Sequence, residues 1–185
     1  MSKKRSKATP GKPLWPFYEC WISQDWQDPN EITQILVARR AGSGQVAYAI
    51  FLVDLGCLGV KNADAGVMDS TLEYEQELRE VVFATQPLEP CSLDLAAKVV
   101  HEAIAYARRL GFTPHKDTRK ALKLIQDAQP DRVSDTIPLG DGTGKPFYVA
   151  GPFDNITSVL AKLNQKVGAG NYDYVVPDAE DPWGF

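Results

Sequence analysis

The sequence predicts an α/β chain of the α+β kind: a mixed sheet, begun by an antiparallel three-strand meander, with helices packed on it. Three observations carry this. Three β-rich runs follow one another, joined through glycine-bearing turns. A long stretch with apolar residues at helical spacing is capped at both ends. A strand, a helix and a strand then close the order.

The first strand is FYECWIS (17–23) and the second ITQILVARR (32–40). The turn AGSG leads into a third, QVAYAIFLVDL, apolar on both faces and therefore expected at the centre of the sheet. The glycines of GCLGVKNADAGV (56–67) predict a sharply bending loop. TLEYEQELREVVFATQ reads as a short amphipathic helix. The long helix starts at the N-cap Ser92 and runs to Leu110, with Asp94 in the first turn and Arg108 and Arg109 in the last. Its stripe is Leu93, Ala96, Ala97, Val100, Ala103, Ile104 and Ala107, and Gly111 ends it. Asp117 is the expected cap of the next helix, which buries Ala121, Leu124 and Ile125. After a loop over 130–145 come a strand in PFYVAG, a helix capped by Asp154 and ended by Gly168, and a last strand in NYDYVVP.

Composition bounds the function. With 44% hydrophobic and 24% charged residues the chain has the balance of a water-soluble globular protein, and no run of apolar residues is long enough to span a bilayer, so no membrane partner is expected. The domain reading is a disordered basic tail over 1–13, one α/β domain over 14–177 and an acidic-aromatic tail over 178–185. The arm lacks the apolar segment of a secretory signal. It holds five Lys or Arg before residue 13, leaving 15 basic against 24 acidic residues in the rest. An acidic body disfavours nucleic acid, and any such contact falls to the arm. Cys20, Cys91 and Cys57 are widely spaced and read as buried hydrophobes in a reducing cytoplasm.

Candidate chemistry is scattered. GDGTGKPF (140–147) resembles a phosphate loop but has the wrong spacing, with Pro146 where a hydroxyl should bind metal. A nuclease needs carboxylates converging on divalent metal; the catalytic candidates are Glu19, Glu102 and Asp154, and Mg²⁺ enters only with that reading. Glu19 shares its strand face with Phe17 and Trp21, and Glu102 lies about 160° from the centre of the helical stripe, toward solvent. Asp54, Lys61, Asn62 and Asp64 form a ligand-binding candidate at a glycine-rich strand end, whose plainer reading is a tight bend with an Asp54–Lys61 ion pair. His101, Arg108 and His115 are further candidates. His101 is expected at the rim of the buried face in line with Asp94, and His115, the more exposed of the two, in the corner GFTP. No metal-ligand spacing occurs, and no cofactor is named by the sequence.

FLVDLGCLGVKNA and YARRLGFTPHKD, with GKPFYVAGPFDN and GNYDYVV, resemble a family of conserved bacterial proteins of unknown function. The resemblance implies a bacterial, intracellular setting and a single domain, and brings no catalytic residues. The tail DAEDPWGF resembles the acidic tip of bacterial single-stranded-DNA-binding proteins, from which it departs by its Trp and Gly. Trp183 and Phe185 are thus candidates for docking a protein partner. The function expected is a non-catalytic binding or interaction module; the alternative is a divalent-metal-dependent nuclease-like hydrolase of ribonuclease-H-like fold, which the element order resembles as an analogy of fold that licenses no activity.

Overall fold

A computed structural model describes residues 14–28 and 30–176. The basic arm and the tail bearing Trp183 and Phe185 lie outside the described residues, so the calls made on them stay with the sequence.

The meander forms as its β-branched pattern predicts: β1 (Phe17–Ser23), β2 (Thr33–Arg40) and β3 (Val46–Asp54) pair in antiparallel succession. Two strands were not foreseen. The stretch expected as a loop is β4 (Gly59–Met68), antiparallel to β3. Over its middle the inward residues are the small Ala63 and Ala65 and the outward ones Asn62 and Asp64, so between Val60 and Val67 it alternates without residues that favour strands. A three-residue strand, β5 (Leu88–Pro90), pairs with β1 at the opposite edge. The order β4-β3-β2-β1-β5 puts β2, with seven of its eight residues buried, at the centre, and β3 beside it. The α+β class stands, with the two kinds of pairing in separate sheets. The large sheet is antiparallel throughout, and parallel pairing is confined to β6 (Phe147–Val149) and β7 (Asp173–Val175).

One face of the large sheet is dry. Ile35, Val37, Ala49, Phe51 and Val53 meet α3 (Leu93–Arg109) through Ala96, Ala97, Val100 and Ala103. The Ser92 hydroxyl accepts from the Leu95 amide, and Gly111 follows the helix at φ +87°. Alanines along α3 let it lie close: a Cβ on Gly59 would stand 2.7 Å from the Ala107 methyl. Each buried Val or Ile there contributes about 1.5–3 kcal/mol.

The other face is covered by a helix in three parts, α1 (Thr71–Glu73), a π-helical segment Tyr74–Arg79 and α2 (Glu80–Phe83). Opposite it, β1 carries a bulge between Phe17 and Glu19. The extra residue turns Glu19 toward the π-helix and pairs Phe17 with Arg39, so Phe17 does not share the Glu19 face as the unbroken alternation predicts. The wide π turn brings Tyr74 and Arg79, five residues apart, onto one carboxylate. The Tyr74 hydroxyl donates to Glu19 Oε1 at 2.7 Å, and Arg79 lies 3.3 Å from Oε2.

A short α4 (Thr118–Ala121) continues as a 3₁₀ turn, Leu122–Ile125, burying Ala121 and Ile125. Asp117 makes no capping bond with its side chain; instead the His115 carbonyl accepts from Thr118, and the His115 ring nitrogen from the Asp117 amide at 3.4 Å. Finally β6, α5 (Ile156–Val167) and β7 form a parallel strand–helix–strand unit. Asn155, not Asp154, caps α5, its side chain accepting from Ser158 at 3.0 Å.

Candidate functional site

The turn after β3 is where the sheet meets the C-terminal unit. The Gly140 amide donates to the Leu55 carbonyl and the Phe147 amide to that of Gly56. Gly56 has no room for a side chain, because a Cβ would lie 2.2 Å from the Phe147 oxygen. This close approach carries β6 to the flank of β4, and there Lys61 meets Asp154 across 93 residues of sequence.

Asp154 is released from capping because it accepts three other donors at Oδ2: Lys61 Nζ at 2.8 Å, the Gly151 amide at 2.9 Å and the Tyr148 hydroxyl at 3.2 Å. Asp54 lies beside the pair, 6% exposed, its Oδ1 accepting from the Cys57 amide at 2.8 Å. Burial raises the Asp54 pKa, opposed by the Cys57 amide and the Lys61 charge. Burial and the neighbouring Asp54 push the Cys57 thiol up, and burial and Asp154 do the same to the Tyr148 phenol, so both keep their protons. A thiol held neutral is a poor nucleophile.

Two hollows flank the Lys61–Asp154 pair. One, of about 90 Å³, is lined by Glu31, Ile32, Asp54, Val149 and Gly151. The other, of about 210 Å³, is lined by Leu58, Phe112, Thr113 and His115. A larger groove of about 530 Å³ runs along α3 past His101, Glu102, Asp131 and Val133. Its lysine, Lys98, is already spent on the carbonyls of Val133 and Asp135, so the groove offers less converging chemistry despite its size.

The structure brings together part of what the sequence grouped. Asp54 and Lys61 are neighbours, but the partner of Lys61 at hydrogen-bond distance is Asp154. Asn62 and Asp64 leave the cluster because they alternate onto the other face of β4, where Asp64 accepts from Tyr48 at 3.0 Å. Glu19, Glu102 and Asp154 are dispersed: Glu19 is clamped under the π-helix, Glu102 sits on α3 with Lys98 at 3.9 Å, and Asp154 is in the seam. Among the described residues no group of three or more His, Cys, Asp or Glu side chains is placed to hold a metal ion.

His101 is the more exposed histidine, while His115 is half-buried in the corner, its amide donating to the Val60 carbonyl. Asp94 is not the partner of His101, since its carboxylate accepts from the Gln129 amide. Partial burial against the groove lowers the His101 pKa. Arg108 is exposed on α3. No helix of the described residues is long and apolar enough to cross a membrane.

Two participants, Tyr148 and Phe153, have no place in the sequence reading, and a third, Asp154, is expected there as a helix cap and a metal-binding carboxylate rather than as the partner of Lys61. Tyr148 reads as any strand residue. Phe153 is 98% exposed, beside Asp154 at the carboxyl end of β6, and Val175 and Val176 are exposed at the matching end of β7. An aromatic between Pro152 and Asp154 in a loop was the available signal. Compared with known proteins, the chain matches no family model, no curated protein and no solved structure, so the reading of this seam rests on its own chemistry.

Proposed function

We propose that the chain is a non-catalytic binding module whose seam receives a lysine or arginine side chain from a protein partner. The observation that carries this is the nearly full exposure of Phe153 next to the Asp154 carboxylate. Glu31 and Asp54 line the smaller hollow with Lys61, whose ammonium is already paired with Asp154. A cationic side chain is favoured there, and Phe153 with Val175 and Val176 supplies an apolar apron for its neighbours. The resemblance to a bacterial protein family adds an intracellular setting to the proposal.

Selection of peptides from a random display library on the full chain tests it. Enriched peptides should carry Lys or Arg beside an apolar residue, and Phe153→Ala should weaken them about tenfold, equivalent to about 1.4 kcal/mol. Enrichment without basic residues, or binding indifferent to Phe153→Ala, would sink the reading.

A further inference from the structure

Cys20 and Cys91 are separated by 71 residues in sequence, yet their sulfurs lie 3.4 Å apart. The fold causes this. β5 runs antiparallel to β1, and the register that sets Trp21 opposite Pro90 carries on to set Cys20 opposite Cys91. The Cys91 amide donates to the Cys20 carbonyl at 3.0 Å. Facing residues in antiparallel strands have Cα atoms about 4.5–5.5 Å apart, inside the range a disulfide accepts. Both side chains point to the face that α3 covers, so no strand has to rotate for the sulfurs to join.

We propose that Cys20 and Cys91 form a reversible dithiol–disulfide site, oxidised by a peroxide. The two thiols differ in access. Cys20 is 3% exposed, whereas Cys91 is half-buried at the sheet edge, just before the α3 cap Ser92. The Cys91 thiolate attacks one peroxide oxygen, breaking the O–O bond, and becomes a sulfenic acid while the other oxygen leaves as hydroxide. The Cys20 sulfur then attacks the Cys91 sulfur, and the sulfenic oxygen departs as water with the Cys20 proton. In sum two thiols lose two electrons and two protons, and one peroxide is reduced to two waters. The hydrogen bond to Cys91 and burial push the Cys20 thiol up, which suits the resolving role better than first attack. Cys57 is fully buried in a different cluster and takes no part. The bond would fasten β5, which meets β1 over only three residue pairs.

The test is to treat the reduced full chain with a few equivalents of hydrogen peroxide and follow its intact mass. The expected product has lost two hydrogen masses, yields a Cys20–Cys91 linked peptide on non-reducing digestion, and reverts with dithiothreitol. In Cys20→Ser the sulfenic acid on Cys91, trapped by a dimedone-type reagent, should outlive that of the wild type by about tenfold. A link through Cys57, progressive oxygen addition to Cys91 without a link, or an unreactive native chain overturns the proposal. Should Cys20→Ser misfold, the wild type alone decides: its oxidised form must melt above its reduced form.

Discussion

In β2 seven of eight residues are buried, whereas in β7 all three are exposed. The same contrast holds for helices: α3 buries eight residues, and α5 buries Leu163 alone. The five-stranded body is covered on both faces and leaves little to engage. The smaller β6–α5–β7 unit exposes Phe153, Tyr174, Val175 and Val176, as many large apolar residues as the body exposes in Phe17, Val67, Leu72 and Val81. The difference teaches where function can reside. Most of the buried residues belong to the body, and the surface proposed for recognition lies where the smaller unit is fastened to it. Conserving the fastening while leaving the rest open requires few contacts, and Gly56, Lys61 and Asp154 supply them.

The strongest way to break this contrast is Gly56→Ala. A Cβ at 2.2 Å from the Phe147 oxygen meets backbone, which cannot rotate away, so a loss of about 3 kcal/mol is expected. Urea unfolding followed by hydrogen exchange should show residues 146–176 losing protection before the sheet does. Uniform loss across both regions would argue that they are not separable.

Within the body, Tyr74→Phe removes a fully buried hydroxyl from Glu19 and leaves Arg79 as the remaining partner of that carboxylate. A loss of about 2 kcal/mol by chemical denaturation is expected, with one cooperative transition. In the outer unit, Asn155→Ala removes the α5 cap and should cost about 1 kcal/mol, read as faster amide exchange in 156–159 and not in α3.

The smallest effect sharpens the seam itself. Burial holds the Asp54 carboxyl above its ordinary 3.8, so the folded chain keeps this proton longer than the unfolded one. Its favourable contribution is complete below the ordinary Asp value and is lost as pH rises through the folded value. Asp54→Asn should therefore match the wild type near about pH 3 and be more stable at neutrality, measured by thermal melts across pH. Equal stability at every pH would mean that Asp54 is solvated rather than buried.

Much of the body was legible because its signals are local. The Val, Ile and Phe runs of β2 and β3, and the stripe of α3 with its Ser92 and Gly111 caps, state their structure within a few residues. β4 was hidden because, after Val60, its buried side chains are alanines, with glycines at 59 and 66. β5 is too short to show a period, and Pro90 speaks against it. The bulge at Tyr18 and Glu19 and the π-helix opposite exist for each other, and neither has a signature in its own segment. The same holds for the site. Asp54 and Lys61 stand together in one motif, but their meeting with Tyr148 and Asp154, and that of Cys20 with Cys91, are made by tertiary pairing.

The corner that holds His115 has a consequence for how the chain behaves in crowded solution. A sheet edge with open carbonyls is a template on which other chains can stack. Along β4 two of those carbonyls are already taken, Val60 by the His115 amide and Ala65 by the Lys120 ammonium. At the far edge Pro90 offers no amide to a newcomer. Both rims of the large sheet are thus guarded in part against self-templating. By contrast, the three residues of β7 are all exposed, and self-association of the native chain is to be looked for at that short strand before the large sheet.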